Sequence, residues 1–148
     1  SLAKPVTAAG VWWLVHEGRV ELDAPVRRYV AEYPHAATTV RQLLGHSNGL
    51  PTDYAWFDRH FGIDQPRTTA AMLGVVARVA PTPRFAPGTR FEYSNLGYDV
   101  AAVLIERVTG QSYEDFLQAR FFAPLGMRSS FVRPARLAAW LRARCRPS

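Results

Sequence analysis

The sequence predicts a mostly helical chain with almost no β-strand. Apolar residues at helical spacing recur along the 148 residues, and Pro, Gly or capping residues bound most of these stretches. Hydrophobic residues make up 48% and charged residues 20% of the chain, which is typical of a folded domain. No apolar run reaches the roughly 18 residues that span a bilayer, so we expect no membrane span.

The first predicted helix covers residues 5–17, because Pro5 suits a first turn and Gly18 suits the position after the last turn. Its apolar residues cover most of its circumference, so we expect it to be buried on all sides. Since a proline disfavours helical backbone in the residue before it, we expect Lys4 to lie on an irregular lead-in.

Capping residues bound several of the later helices. Asp23 is predicted to cap the second helix, the pair Thr39 and Gln42 the third, and Ser112 with Asp115 the last. Residues 51–67 are expected to form a packed loop, with a short helix inside it as the alternative, and residues 90–93 a short extended piece. The predicted helical spans after the first are 24–30, 39–44, 69–79, 96–108 and 113–122.

A serine and a lysine three residues apart, Ser1 and Lys4, stand at the start of the first helix. A serine hydroxyl becomes nucleophilic when a base takes its proton, and a lysine can serve as that base when burial or a nearby cation favours its neutral form. The same spacing often occurs by chance, so the pair alone fits either a catalytic site or an ordinary helix start.

Tyr93 and Asn95 lie in the stretch FEYSNLGY, between the extended piece and the next helix. A tyrosine can accept a serine proton when a cation such as Lys4 favours its phenolate. An asparagine amide can both donate to and accept from a substrate amide. The alternative is that Tyr93 packs in the core and that Asn95 caps the helix beginning at Leu96.

Several stretches in a fixed order resemble the serine β-lactamase and penicillin-binding-protein family, and most closely its class C-type β-lactamase, D-aminopeptidase and esterase branch. They cover residues 1 to about 131, which is nearly all of the chain before its tail. The resemblance rests on SLAKPVTAAGVWWLVHEGRVELDAPVRRYV, TTVRQLLGHSNGLP, FAPGTRFEYSNLGYDVAAVLIERVTGQSYEDFL and FFAPLGM.

The resemblance implies the helical region of an α/β, β-lactamase/transpeptidase-like fold whose flanking antiparallel sheet is largely missing. It implies a serine hydrolase that acts through an acyl-serine intermediate on small-molecule or peptide acyl substrates. By this resemblance Ser1 is the acylated nucleophile and Lys4 is its proton partner. Tyr93 is the shared general base and acid, and Asn95 binds substrate and helps to hold Lys4. His46 belongs to a structural turn.

Two parts of the family's pattern have no counterpart in the sequence. One is the strand with Lys-Thr-Gly or His-x-Gly, which supplies an oxyanion-hole N–H group and is absent after Phe131. The other comprises the strands that precede the serine. We therefore expect a fragment, with catalysis in the complete form and no turnover by the 148 residues alone. The alternative is a truncated, non-catalytic module or binding protein.

The last residues differ in composition from the rest. We expect residues 1–131 to be the partial domain and residues 132–148 to be a disordered or foreign tail, with an amphipathic helix as the alternative. This tail holds five arginines and no acidic residue, and it accounts for most of the net charge of +6, so no nucleic-acid partner is expected. No metal or other cofactor is expected, because the four histidines and the one cysteine lack ligand spacing. The resemblance implies a periplasmic or secreted protein.

Overall fold

The structure, a computed structural model, describes residues 2–51, 56, 59–60 and 68–132. Ser1, the tail from residue 133 and most of the predicted loop 51–67 lie outside the described residues. In the described part, a 3₁₀ turn (Val26–Arg28) follows the first helix, and a π-helical turn (Gln118–Phe122) follows the last. The helices are α1 (Ala3–His16), α2 (Val40–Leu44), α3 (Thr69–Val79), α4 (Asn95–Thr109) and α5 (Tyr113–Leu117).

Helix α4 is the central element, and the other four helices all pack against it. Its middle, residues 100–105, consists of six consecutive buried apolar side chains. A helix that is apolar on every side in this way must be surrounded by other elements. Burial of each larger side chain contributes about 1.5–3 kcal/mol, so this stretch holds much of the core energy.

Helix α1 is buried on one side only, so the prediction of burial on all sides is wrong. Trp12 is 54% exposed and Trp13 is 37% exposed. The buried side is a stripe at helical spacing that includes two small residues. A prediction from hydrophobicity alone does not mark such small residues as buried. The stripe consists of Thr7, Gly10, Val11 and Leu14. At Gly10 a Cβ atom would lie 3.0 Å from Ile105 Cδ1 of α4, so the missing side chain allows close packing of the two helices.

The start of α1 also differs from the prediction. The helix begins at Ala3, so Lys4 lies in its first regular turn rather than on an irregular lead-in. A proline in the first turn costs little, because its missing N–H group would have no helical partner there, and the restraint that Pro5 places on Lys4 is overcome. Gly18 follows the helix with a φ of 70°, as its predicted position requires.

The local capping predictions have mixed outcomes. Thr39 and Gln42 form the predicted reciprocal capping box of α2. Ser112 Oγ accepts a hydrogen bond from the Asp115 backbone at the start of α5. The predicted helix 24–30 is reduced to the 3₁₀ turn, and Asp23 caps nothing. Its carboxylate instead binds Arg41 of α2 through both oxygens, at 2.7 and 2.8 Å.

The remaining spans agree more closely. The predicted span 69–79 is that of α3. Helix α4 is one residue longer at each end than predicted. The predicted span 113–122 divides into α5 and the π-helical turn. Within the described residues the β-type pairing is a single bridge between Pro25 and Thr39.

The loop after α2 holds the segment that precedes α4. Three backbone N–H groups of residues 84–92 donate at 2.8 Å to carbonyl groups of residues 46–49. The pairs are Arg84 with Gly49, Gly88 with Ser47, and Glu92 with His46. These bonds keep residues 90–93 close to the loop without forming a strand.

Replacing Gly49 with alanine is predicted to destabilise the protein more than the same change at Gly18. Both glycines have positive φ, 74° and 70°, so each change costs about 1–2 kcal/mol of backbone strain. At Gly49 the new Cβ atom would also lie 2.5 Å from the Phe85 carbonyl oxygen, whereas at Gly18 it meets nothing within 4 Å. Urea denaturation of both variants measures the difference, and equal losses would contradict the close approach.

Candidate active site

Lys4 is half-buried in the first turn of α1 and reaches the start of α4. Its Nζ atom donates a hydrogen bond of 2.7 Å to Oδ1 of Asn95, which lies 91 residues away in the chain. The same Nζ atom lies 4.8 Å from the ring centre of Tyr93 and 5.7 Å from that of Tyr98. At these distances each ring face attracts the ammonium group. The structure thus brings together three of the four predicted site residues.

Asn95 is the first residue of α4 and does not cap it. Ser94 is the cap, because its Oγ atom accepts a hydrogen bond of 3.1 Å from the Gly97 backbone. The interpretation of Asn95 as an N-cap is therefore wrong. Its side-chain oxygen is directed to Lys4, as the resemblance implies.

Tyr93 lies at the surface, and the alternative that it packs in the core is also wrong. Its side chain is 43% exposed, and the nearby Phe91 is 69% exposed. The Tyr93 ring packs on the His46 ring, with 4.6 Å between the ring centres. A molecule from solution can therefore reach the side of the site formed by Tyr93 and Phe91.

His46 binds residues 92–94, the tyrosine segment that carries Tyr93, through two hydrogen bonds. Its carbonyl oxygen accepts from the Glu92 backbone at 2.8 Å, and its Nδ1 atom accepts from the Ser94 backbone at 3.1 Å. Because Nδ1 is the acceptor, the neutral ring carries its proton on Nε2. In this position the His46 backbone has a φ of 55°, which is uncommon for a residue other than glycine. The geometry agrees with the structural role that the resemblance implies for His46.

Glycine at position 97 lets the start of α4 approach the same loop. A Cβ atom there would lie 2.7 Å from Asn48 Nδ2 and 3.3 Å from the Leu43 carbonyl oxygen. Asn48 is itself buried, and its Oδ1 atom accepts from the Leu50 backbone at 2.9 Å. The loop therefore fits against α4 as well as against the tyrosine segment.

Tyr98 and Asp99 of α4 follow Asn95 by three and four residues, and neither is among the predicted site residues. The Tyr98 hydroxyl donates to the Leu44 carbonyl oxygen at 3.0 Å, and burial raises its pKa. Burial also raises the pKa of Asp99 to about 6, against the opposing effect of Lys4. A signal for both was available, because residues three and four positions after Asn95 share its face of a helix.

Ser1 lies outside the described residues, so its place relative to Lys4, Tyr93 and Asn95 stays a prediction. Among the residues that the structure does describe, no three His, Cys, Asp or Glu side chains are grouped so that they could hold a metal ion. The described helices are also too short or too polar to cross a membrane.

Comparison with known proteins identifies the family to which a chain with this fold and this site belongs. A family model described as Beta-lactamase matches residues 1–146. The chain therefore belongs to the beta-lactamase family, which confirms the resemblance. It is 33% identical to Penicillin-binding protein 4* of Bacillus subtilis over 138 residues, which are 93% of this chain and 31% of that protein. It is 34% identical to Esterase EstB of Burkholderia gladioli over 86% of this chain and 36% of that protein.

Solved structures confirm the predicted fold class. D-amino acid amidase from Ochrobactrum anthropi, complexed with D-phenylalanine, superposes with a TM-score of 0.75 at 36% identity. The match covers 89% of this chain and 37% of that one. The chain thus corresponds to a mostly helical part of the fold, and it spans about a third of the length of these relatives.

Replacing His46 with asparagine is predicted to weaken the loss of stability in mild acid. Burial, and then the Lys4 ammonium, lower the pKa of His46 below its ordinary 6.5. The unfolded chain therefore binds a proton more readily, so the free energy of unfolding falls as the pH drops through 6.5 and below. Asparagine tolerates positive φ and does not titrate.

Urea denaturation of the wild type and of His46→Asn, at several pH values between 5 and 8, measures this effect. The difference between the two proteins removes the contributions of all other titrating groups, including His35. The wild type should lose more stability than the variant on going from pH 8 to pH 5. Parallel curves would contradict a neutral His46 that accepts the Ser94 hydrogen bond.

Proposed function

We propose that the complete protein is a serine hydrolase that acts through an acyl-serine intermediate, and that this chain supplies its nucleophile and proton-transfer groups. The observation that carries the proposal is the position of the Lys4 ammonium, 2.7 Å from Asn95 and 4.8 Å from the Tyr93 ring centre. A cation held by an amide beside a tyrosine ring can favour the phenolate that accepts a serine proton, which is the activation that a serine nucleophile requires.

In the proposed reaction, Ser1 Oγ attacks the carbonyl carbon of the substrate while Tyr93, as phenolate, takes the serine proton. The positive charge of Lys4 favours that phenolate. Tyr93 then returns the proton to the leaving group, which departs as the acyl-serine ester forms. Water hydrolyses the ester, and the serine is restored. Asn95 holds Lys4 and, through its amide, the substrate.

The names of the relatives and the open side of the site support a proposed substrate class. The proteins to which this chain is similar include a penicillin-binding protein, an esterase and a D-amino acid amidase. These names favour a hydrolase over a non-catalytic binding module. We propose a small-molecule or peptide acyl substrate, either ester or amide, that enters past Tyr93.

Incubation of the chain with a fluorophosphonate is predicted to label Ser1 slowly and stoichiometrically. The reaction is a phosphonylation in which the serine oxygen bonds to phosphorus and fluoride leaves, and it needs only the nucleophile and its proton acceptor. In serine hydrolases the loss of one oxyanion-hole donor slows the reaction by about 10²–10³-fold, which leaves so reactive a probe able to react. Intact-protein and peptide mass spectrometry measure the extent and the position of labelling.

Three variants and one matched control test the assigned roles. Ser1→Ala should abolish labelling, and Lys4→Met and Tyr93→Phe should each slow it by roughly 10²–10⁴-fold. Ser129→Ala removes an exposed serine elsewhere and should label as the wild type does. Labelling that survives Ser1→Ala would overturn the proposal, as would a folded wild type that is never labelled.

A further inference from the structure

Phe91 forms an exposed aromatic surface beside the candidate active site. Its side chain is 69% exposed, although phenylalanine is a residue type that proteins usually bury. It precedes Tyr93 by two residues, and both rings pack on the ring of His46. The two rings therefore lie on the side of the chain that meets His46, and the Phe91 surface continues from the proposed proton acceptor.

The Phe91 ring has a rigid support. Its centre lies 5.7 Å from that of the His46 ring, and the two planes meet at 82°, so the contact is of the edge-to-face type. His46 is held in turn by its hydrogen bond from the Ser94 backbone and by the Tyr98 ring, whose centre is 5.1 Å away. Because an aromatic side chain has only two torsion angles, a group that binds against this ring loses little affinity to side-chain ordering.

The charged side chains on either side of Phe91 are directed to partners within residues 84–92. Arg84 Nη1 lies 2.8 Å from Glu92 Oε1, and the two side chains form a salt bridge. The Arg90 guanidinium lies 5.9 Å from the centre of the Phe85 ring. A substrate group that lies on Phe91 therefore meets an aromatic ring, and the charges of the adjacent residues are engaged elsewhere.

The spacing of Phe91 and Tyr93 sets how far a substrate must reach. Two residues of fully extended chain span at most about 7 Å, so the two backbones are no farther apart than that. In the proposed reaction the carbonyl carbon of the substrate is attacked beside Tyr93. An aromatic ring two or three bonds from that carbon can reach Phe91, whereas the methyl group of an acetyl substrate cannot.

We propose that Phe91 is a specificity-determining residue, which binds an aromatic ring of the substrate two or three bonds from the reacting carbonyl carbon. The proposal rests on the function proposed above and narrows its substrate class to esters or amides that carry such a ring. Paired aromatic rings gain more than the burial of their area alone provides, so an aromatic group is preferred over a small alkyl group. Phe91 takes no part in proton transfer.

The first test compares two fluorophosphonates that differ only in the group on phosphorus, 2-phenylethyl in one and ethyl in the other. The rate constant for labelling Ser1 is divided by the rate of hydrolysis of each probe in water, which removes the difference in intrinsic reactivity. The corrected ratio for the wild type should favour the phenylethyl probe by roughly 3–10-fold, as one aromatic contact implies. In Phe91→Ala this ratio should fall at least threefold. A wild-type ratio near one, or a ratio that Phe91→Ala retains, would overturn the proposal.

Phe131→Ala is the matched control, because Phe131 is also 69% exposed and lies beyond the last helix. This variant should keep the wild-type ratio, and a fall as large as that of Phe91→Ala would contradict a specific contact. Phe91→Leu keeps an apolar side chain in case the alanine variant is unstable. It should lower the ratio in the same direction, and a leucine variant with the wild-type ratio would contradict an aromatic contact.

Sedimentation of the wild type and of Phe91→Ala tests a competing occupant of the Phe91 surface, a second copy of the chain. The two proteins should have the same mass in solution at every concentration. Self-association that is lost in Phe91→Ala would assign Phe91 to a contact between copies and would overturn the proposal.

A binding measurement distinguishes failure of this inference from failure of the proposed function. Ser1→Ala cannot be labelled at residue 1, and NMR follows its titration with 3-phenylpropionamide and, for comparison, with propionamide. Only 3-phenylpropionamide should shift the ring signals of Phe91 and Tyr93, and adding Phe91→Ala should weaken its binding at least threefold. Ring shifts without any labelling of the wild type would support the Phe91 contact and overturn the proposed hydrolase. Labelling without ring shifts would support the hydrolase and overturn the Phe91 contact.

Discussion

The hydrogen bond between Lys4 and Asn95 determines how the first turns of α1 and α4 meet. Apolar contacts along the two helices, with Gly10 fitted closely against Ile105, contribute most of the packing energy. A charged group bonded to an amide contributes about 1.5–3 kcal/mol and is strongly directional. It therefore sets the position of the α1 start, and with it the distance from the ammonium group to Tyr93.

The position of Tyr93 next to Lys4 also depends on a rigid support for the tyrosine segment, and the loop after α2 provides that support. The capping box fixes α2, the loop follows at once, and His46 binds the segment through both its backbone and its ring. Binding Ser94 in this way also places the cap of α4. One loop thus fixes both the exposed tyrosine and the helix that carries Asn95, which explains why an uncommon backbone conformation at His46 is tolerated.

Features that depend on neighbours three or four residues away could be predicted from the sequence, as the capping box of Thr39 and the span of α3 illustrate. Features that depend on distant partners could not. Ser94 and Asn95 are equally good caps in isolation, and the choice depends on two residues far away in the chain: His46 binds the Ser94 backbone, and Lys4 binds the Asn95 side chain. Likewise, α1 buries the side that carries Gly10, because this small residue allows close packing against α4. The sequence of α1 alone does not show that contact. Lys4, Tyr93 and Asn95 were predictable as a set through the family resemblance, whereas Tyr98 and Asp99 required the helix geometry.

The most direct test of this account is a double-mutant cycle on Lys4 and Asn95, measured as free energies of unfolding in urea. The variants are Lys4→Met, Asn95→Ala and the double mutant. If the hydrogen bond joins the two helices as described, the losses will not add, and the coupling will be at least about 1 kcal/mol. Losses that add to within about 0.5 kcal/mol would contradict the central claim, because independent sites behave in that way.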